Sequence, residues 1–349
     1  MNKFHCLLIN LGSPETCDKK GISSFLREFL MDKYVMQMAW IVRFILVNFI
    51  IIPTRAERSL GLYKRVWKSG KSPIIKNTEQ LVDKIESKLL EKLCSVKVSY
   101  AMRYGESSIE SKIKELSDKG VEQLLIVPMF PQFEKSTYLT AVEEVKRCIK
   151  KTEIEPIYVA PFYDQPAYIS SLERSIREGL NQIEVDKMLF SYHSIPLRYL
   201  PCGEKFASKC EVEKDCSDSR TPNCKECYKY QCAVTTKMVC ENIGAIDGDY
   251  EIVFQSRVGH NAWLTPSLSE RVEKLPSEGV DTLAVIAPSF TADCLETISE
   301  VNIDAREAFV ENGGEQFYYI SALNDLDLWA KKLSKWIIEA KRVYGKKVK

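Results

Sequence analysis

The chain has little net charge and lacks several common signatures. It contains 49 lysines and arginines against 48 aspartates and glutamates, so its formal net charge at pH 7 is +1. Such an even balance argues against a nucleic-acid partner bound by bulk electrostatic attraction. No glycine-rich dinucleotide fingerprint follows the first apolar run, where the sequence reads GSP at 12–14, so oxidoreductase chemistry is poorly supported.

Signals for secretion and membrane insertion are also weak. The first residues lack a charged region followed by an apolar run, so we expect no secretory signal and a cytoplasmic protein. The segment 34–53 is apolar and about as long as a bilayer span, but Arg43 near its centre makes a span costly. Two alternatives stay open for it: an ordinary core helix, or a helix that attaches to the inner face of the membrane.

Short apolar runs alternate with amphipathic stretches along the chain. The runs predict eight buried strands, at 4–10, 96–102, 123–129, 154–160, 187–192, 251–256, 282–287 and 316–320. Helical patterns lie between them, for example at 79–92, 108–119 and 172–180. This alternation predicts an α/β fold in which parallel sheets are flanked by helices.

The two halves of the chain resemble each other. GVEQLLIVP at 120–128 echoes GVDTLAVIAP at 279–288, and AVEEV at 141–145 echoes TISEV at 297–301. We therefore predict two similar Rossmann-like (doubly wound) domains, 1–163 and 164–349, each with a four-stranded parallel sheet. Ligands of open α/β sheets bind beyond the carboxyl ends of the strands, so the chemistry is expected there.

Histidine is scarce, since only His5, His193 and His260 occur. His193 directly follows the run at 187–192, which places its imidazole at the carboxyl end of a strand. His5 lies at the start of the first strand, which is the opposite end of its own sheet. A neutral imidazole can accept a proton near pH 7 or bind a metal. On these residues alone, a hydrogen-bonded structural histidine explains His193 equally well.

Four carboxylates follow the run at 282–287. Asp293, Glu296, Glu300 and Asp304 are spaced so that they would line one face of a helix. The helix dipole favours acidic side chains in a first turn, which leaves Glu300 and Asp304 unexplained. The alternative is a row of carboxylates that passes a divalent cation towards the end of the strand.

Half of the twelve cysteines fall in one segment, 202–232. They are Cys202, Cys210, Cys216, Cys224, Cys227 and Cys232. The segment is rich in charge and poor in large apolar residues, so it cannot build its own core, and a metal centre would order it. It has no histidine, which predicts a four-cysteine site for zinc or for an iron–sulfur cluster. A reduced loop with surplus thiols is the third alternative.

Several segments together resemble the signature segments of the ferrochelatase family. They read NLGSP at 10–14, FLREFL at 25–30, PMFPQF at 128–133, SYHSIP at 191–196, QSRVG at 255–259, WLTP at 263–266 and FTADCLET at 290–297. The match runs in order from about residue 5 to 325. The resemblance implies a lyase that inserts Fe²⁺ into protoporphyrin IX or coproporphyrin III, with loss of two pyrrole protons, in haem biosynthesis.

The resemblance also implies roles for single residues. His193 and Glu296 would be the catalytic pair and contact the Fe²⁺ substrate, while Glu300 and Asp304 would form the iron path. The implied substrate-binding positions are Leu11, Ser13, Tyr63, Arg65, Ser72, Tyr104 and Trp263. Family members that favour coproporphyrin tend to have tyrosine at the position of Leu11, so leucine favours protoporphyrin.

Some ferrochelatases carry a [2Fe–2S] cluster, and the resemblance favours one here. The expected ligands are Cys210, Cys216, Cys224 and Cys227. Cys232 is the rival ligand, and Cys202 is disfavoured. The resemblance further implies that the segment 34–53 forms the lip of the porphyrin pocket, where it touches the membrane.

Two other functions are weighed against this one. A cobalt or nickel chelatase acting on another tetrapyrrole would share the fold and the histidine. A non-catalytic tetrapyrrole or redox sensor would need the catalytic pair to be missing, and both residues are present. The sequence leaves the oligomeric state open.

Overall fold

The computed structural model describes residues 3–68, 70–201, 224–257 and 262–345. Contacts divide the chain into two compact units. The first unit comprises the chain up to Phe130, Glu134–Pro161 and the residues from Asn324 onward, and the second comprises Pro131–Phe133 and Phe162–Leu323. Each unit contains one four-stranded parallel sheet, which confirms the predicted fold class.

The sheet of the first unit has the order β2-β1-β3-β4. Its strands are β1 (Phe4–Ser13), β2 (Lys97–Gly105), β3 (Gln123–Pro128) and β4 (Glu155–Tyr158). The two central strands, β1 and β3, are buried along almost their whole length, as expected where both faces of a parallel sheet are covered. Residues from β1, β3 and the flanking helices share one apolar core.

Helices surround this sheet. They are α1 (Lys19–Leu30), α2 (Trp40–Ile45), α3 (Ile52–Val66), α4 (Pro73–Glu91), α5 (Ile109–Asp118) and α6 (Thr140–Ile149). Two π-helical segments, π1 (Leu46–Ile51) and π2 (Lys135–Leu139), lead directly into α3 and α6. Asp18 caps α1 by accepting a hydrogen bond from the backbone N–H of Gly21 at 2.8 Å, which explains where this helix begins.

The second unit repeats the plan, with the sheet order β6-β5-β7-β8. Its strands are β5 (Lys187–His193), β6 (Tyr250–Gln255), β7 (Thr282–Ile286) and β8 (Gln316–Ile320). Its helices are α7 (Pro166–Leu180), α8 (Tyr228–Ile243), α9 (Leu268–Lys274), π3 (Glu296–Ala305) and α10 (Arg306–Glu311). Short 3₁₀ turns occur at Leu197–Tyr199, Cys224–Glu226 and Leu275–Glu278.

The two units differ from the predicted domains 1–163 and 164–349 in two places. The last helix, α11 (Asp327–Tyr344), belongs to the first unit, because its buried face, which includes Trp329 and Leu333, packs on α4. In addition, Pro131–Phe133 belongs to the second unit, where the backbone N–H of Phe133 donates to Gln231 Oε1 at 2.6 Å. An amphipathic pattern shows that a helix has a buried face but does not reveal its partner.

The apolar segment 34–53 contributes α2 and π1, and α2, π1 and α3 follow one another without a break. Among the described residues, no helix is both long and apolar enough to cross a membrane. Some side chains of the segment 34–53 are buried and others are exposed to solvent. Val47 and Ile52 are buried, whereas Trp40, Ile41 and Phe49 are each more than 60% exposed. The alternative of an ordinary core helix is therefore wrong for the outer face of this segment.

Candidate active site

His193 is the last residue of β5, at the carboxyl end of the second sheet. Its Nδ1 lies 2.7 Å from the backbone oxygen of Ser194. Because a carbonyl oxygen can only accept, Nδ1 carries the proton, and in the neutral ring the lone pair is on Nε2. Burial lowers the pKa of His193, which favours this neutral form, and the carboxylate of Glu296 partly opposes the shift.

The carboxylate row lies on π3, which begins at Glu296. Residues four apart stay close to one face of a helix, so Glu296, Glu300 and Asp304 still form a row. Gln255 Nε2 donates to the backbone oxygen of Glu296 at 3.1 Å and lies 3.5 Å from Glu300 Oε2. The structure thus holds the row against the end of β6, beside the strand that ends in His193.

Glu300 has the most perturbed carboxyl group of the row. Burial raises its pKa to about 7, and the nearby carboxylates of Glu296 and Asp304 add to the rise, while a hydrogen bond from Ser256 Oγ opposes it. Glu300 therefore changes charge near neutral pH. Such a group can bind a cation at the cost of a proton.

Asp293 does not belong to the row, contrary to the expectation of one helix face from 293 to 304. It lies before π3 and is buried. Its Oδ1 accepts hydrogen bonds from Tyr319 Oη at 2.5 Å, from Thr297 Oγ1 at 3.2 Å and from the backbone N–H of Ala322 at 3.2 Å. Asp293 thus ties the start of π3 to the end of β8 and has a structural role.

Two side chains at this site were missed by the sequence prediction. Gln255 and Ser256 occur in the segment QSRVG at 255–259, which carried the family resemblance but no assigned role. Ser256 has φ +64°, a left-handed conformation that is uncommon outside glycine. This conformation follows directly on the end of β6, where Ser256 bonds Glu300.

Trp263 also lies in the second unit, near the end of β5. It forms an isolated antiparallel bridge with Pro196, three residues after His193. Its indole Nε1 is buried and has no hydrogen-bond partner within the described ranges, which exclude 258–261. His260, the third histidine, lies outside the described residues.

The other predicted substrate-binding residues lie in the first unit. Leu11 and Ser13 are at the carboxyl end of β1, Tyr104 is at the end of β2, and Ser72 immediately precedes α4. The hydroxyls of Ser13 and Ser72 are buried and have no hydrogen-bond partner in the described part of the chain. A buried hydroxyl without a partner is unfavourable, so both are suited to bonding a ligand.

Tyr104, Tyr63 and Arg65 are in different situations. Tyr104 Oη already donates to Asp32 Oδ2 at 2.8 Å, and burial raises the pKa of this phenol. Tyr63 is buried on α3 with its ring edge-on to Phe25, whereas Arg65, two residues later, is exposed. Tyr104 is thus held within the unit by Asp32 and is not a free donor.

Most of the cysteine segment lies outside the described residues, including Cys202, Cys210 and Cys216. Cys224 is described only as part of the turn Cys224–Glu226, and Cys227 is the buried residue that precedes α8. Cys232 is fully buried, which raises the pKa of its thiol, and its backbone oxygen accepts a bond from Tyr192 Oη at 3.0 Å. The structure therefore describes the side chains of only two of the candidate ligands.

Comparison with known protein families shows which family this chain belongs to. The model of the ferrochelatase family matches residues 5–341. The chain belongs to the ferrochelatase family. The predicted family is therefore confirmed, and with it a ferrochelatase function, that of an enzyme that inserts a metal into a porphyrin.

Curated relatives support the same family. A ferrochelatase of Pseudomonas fluorescens strain Pf-5 is 38% identical over 336 residues, which cover 96% of this chain and 97% of the relative. A ferrochelatase of Coxiella burnetii strain CbuK_Q154 is 35% identical over 334 residues, covering 96% and 93%. The family members thus match along almost the whole chain.

Solved structures support the fold. SirB from Bacillus subtilis with Fe³⁺ has a TM-score of 0.51 at 12% identity, covering 79% of this chain and 94% of SirB. DR2241 from Deinococcus radiodurans, described as structurally similar to chelatases, has a TM-score of 0.53 at 10% identity, covering 99% of this chain and 56% of DR2241. At this level of identity the likeness concerns the fold alone.

Proposed function

We propose that this enzyme inserts Fe²⁺ into protoporphyrin IX, with His193 accepting the pyrrole protons. The observation that carries the proposal is the tautomer of His193. Its Nδ1–H donates to Ser194, so the Nε2 lone pair is available, and burial keeps the ring neutral. Each porphyrin loses two N–H protons as the dianion takes up Fe²⁺, so His193 must accept a proton and pass it on before it accepts the next.

Glu296 completes the pair in this proposal. Its carboxylate lies within electrostatic range of the imidazole and stabilises the imidazolium formed at each transfer. Fe²⁺ accepts carboxylate and imidazole ligands, so Glu296 is also suited to contact the metal substrate. Glu300 and Asp304 form the path by which Fe²⁺ reaches this position, and Glu300 releases its proton when the cation arrives.

The porphyrin carboxylates are proposed to bind in the first unit. Ser13 and Ser72 supply two buried hydroxyls without partners, and Ser72 precedes the 19-residue helix α4, whose N-terminal N–H groups attract anions. Tyr63, Arg65, Tyr104 and Trp263 are proposed as further substrate contacts. Leu11 is the residue proposed to favour protoporphyrin over coproporphyrin III.

We further propose a [2Fe–2S] cluster held by Cys210, Cys216, Cys224 and Cys227. The observation that supports it is the turn Cys224–Glu226, which sets two cysteines three residues apart immediately before α8. Cys227 is proposed over its rival Cys232, because complete burial on α8 raises the pKa of the Cys232 thiol and so disfavours the thiolate that binds iron. Cys227→Ala should lower the iron content and the visible absorption of purified protein, whereas Cys232→Ala should preserve both.

A peripheral contact with a membrane surface is also part of the proposal. The exposed apolar side chains of α2 and π1 form one patch, which we call the α2 patch. Its members are Trp40, Ile41, Val42, Phe44, Ile45, Phe49 and Ile50. Contiguous exposed apolar side chains of this kind are typical of protein or membrane contacts. The proposed location is the cytoplasm, at the inner face of the membrane.

An anaerobic insertion assay tests the main proposal. Fe²⁺ is added with protoporphyrin IX, coproporphyrin III or sirohydrochlorin, and the loss of free-tetrapyrrole fluorescence is followed. We expect the largest kcat/KM for protoporphyrin, and we expect Leu11→Tyr to reduce its advantage over coproporphyrin. Faster turnover of sirohydrochlorin with cobalt or nickel would support the alternative chelatase, and binding without any turnover would support a sensor.

A further inference from the structure

A cavity of about 470 Å³ in the first unit is not used by the proposed mechanism. Its charged lining residues are Asp32, Lys33, Arg43, Arg103, Glu143, Glu144 and Arg147. The three carboxylates are each paired: Asp32 with Arg103 at 2.6 Å, Glu144 with Arg147 at 2.7 Å and Glu143 with Lys146 at 2.8 Å. Two cations of the lining, Lys33 and Arg43, are left without an ion pair among the described residues.

Arg43 is the unusual one of these two cations, because it is only 6% exposed. Its Nη1 donates to the backbone oxygens of Met36 at 2.9 Å and Met38 at 3.5 Å. Its Nε is buried and has no hydrogen-bond partner in the described ranges. A buried guanidinium that meets only neutral acceptors and keeps an unused N–H is unfavourable unless an anion completes the site.

Arg43 lies in the middle of α2, whose other side chains form most of the α2 patch. Trp40, Ile41 and Phe44 are exposed around it, and Arg43 is turned inward to the cavity. One short helix therefore offers an apolar surface outside and a cation inside. A molecule that matches both features has an anionic group joined to a long apolar part.

We propose that this cavity binds the phosphate of an anionic phospholipid, with Arg43 and Lys33 as the recognising cations. The inference rests on the proposed membrane contact and names the lipid class that the contact selects. Arg43 offers Nε and its remaining Nη hydrogens to the phosphate oxygens in the fork geometry that favours oxyanions. The acyl chains lie beside the α2 patch, which a free phosphate ion would leave uncovered.

Vesicle sedimentation tests the inference with the full chain. Vesicles of phosphatidylcholine alone are compared with vesicles in which a third of the lipid is phosphatidylglycerol, at constant salt. We expect the wild-type protein to bind both and to prefer the anionic vesicles. Arg43→Gln should weaken binding to anionic vesicles by at least about fivefold, the effect of one cation near a charged surface, and leave binding to phosphatidylcholine unchanged.

Controls separate the possible failures. Arg58→Gln removes one charge from exposed surface on the neighbouring helix α3, and an equal loss for both variants would show diffuse attraction and overturn the site. Absence of binding to any vesicle would overturn the membrane contact itself. Thermal protection by inorganic phosphate alone that Arg43→Gln abolishes, without a preference for anionic vesicles, would mean a small-anion site and overturn the lipid. If Arg43→Gln does not fold, Arg43→Lys and Lys33→Gln replace it.

Discussion

Strands β1 and β5 hold the same place in sheets of the same order, β2-β1-β3-β4 and β6-β5-β7-β8. Leu8 of β1 pairs with Val127, and Phe190 of β5 pairs with Ile286, each the fifth residue of its partner strand. Three residues further on, the first unit has Leu11 and the second has His193. One backbone position is thus apolar in one unit and titratable in the other.

The helices that follow β3 and β7 also differ in how readily one carboxyl group at a matching position takes up a proton. When the similar segments AVEEV at 141–145 and TISEV at 297–301 are aligned, Glu144 corresponds to Glu300. Arg147 bonds Glu144 and lowers the pKa of its carboxyl group, whereas burial raises the pKa of Glu300 to about 7. At this position the first unit therefore pairs its carboxylate with an arginine, while the second leaves the carboxyl group of Glu300 able to exchange a proton near neutral pH. The fold is shared, and the chemistry depends on a few side chains placed on it.

The largest effect is expected at the position where the strands differ most. His193→Ala should lower kcat for iron insertion by about 10³-fold, because a positioned proton acceptor typically contributes 10²- to 10⁴-fold. Porphyrin binding, measured by fluorescence, should persist. His5→Gln, at the half-buried start of β1, serves as the control and should retain its rate. A nearly normal rate for His193→Ala would end the assignment of chemistry to the second unit.

Glu296→Gln should have the next largest effect, a loss of about 10²-fold in kcat, because the imidazolium loses its counter-charge. The acidic limb of the pH profile, where His193 becomes protonated and can no longer accept a proton, should move to lower pH, since the pKa of His193 falls further without the carboxylate. Glu110→Gln, an exposed carboxylate on α5, is the matched control. If Glu296→Gln lowers kcat without shifting that limb, the two side chains are not coupled.

Glu300→Gln and Glu144→Gln should act on stability with opposite signs. Between pH 4.5 and about 7 the folded state holds the proton of Glu300 more tightly than the unfolded state, so stability falls as pH rises through this window. Glu300→Gln should thus stabilise the protein at pH 8 by up to about 3 kcal/mol and slow iron insertion about tenfold. Glu144→Gln should destabilise it at pH 8, because the lowered pKa of Glu144 contributes stability at high pH. Urea unfolding at pH 5 and pH 8 measures both, and equal signs would contradict the comparison.

The smallest effect is expected at Tyr319, which anchors the start of π3. Tyr319→Phe removes one of the hydrogen bonds accepted by Asp293, at a cost of about 1–2 kcal/mol. We expect a similar loss of stability and a rise of only a few-fold in the KM for Fe²⁺, with kcat maintained. Tyr318→Phe, whose hydroxyl contacts Gln316 on the same strand, is the control. A large fall in kcat would give Tyr319 a more direct part in the reaction.

The two sheets and the position of His193 at the end of a strand could be predicted from the sequence, whereas some strand limits could not. Gln316–Ile320 matches its predicted strand because the short apolar run at 317–320 has clear limits. β1, by contrast, continues past 10 to Ser13, because Gly12 has φ +109° and a Cβ there would lie 1.9 Å from the backbone oxygen of Tyr104. The predicted strand ended at residue 10, whereas glycine at position 12 allows β1 and β2 to stay paired as far as Ser13.

The π-helical segment π3 could not be predicted from spacing alone. Carboxylates four residues apart lie near one face of an α-helix and of a π-helix, so the row at Glu296, Glu300 and Asp304 fits both. Asp293 was assigned to the row because its spacing along the chain fitted, but two of the groups that bond its Oδ1 lie on β8 and just after it, more than 25 residues away in the sequence. Local patterns carry no information about such long-range partners.

Helix α11 has a consequence for synthesis on the ribosome. Because α11 packs on α4, the first unit cannot be completed until this helix has been synthesised, and the helix follows the whole second unit in the chain. The nascent first half would thus expose the α4 surface that Trp329 and Leu333 later cover, and become a client for chaperones. Cutting the gene at the midpoint would leave that half permanently unfinished.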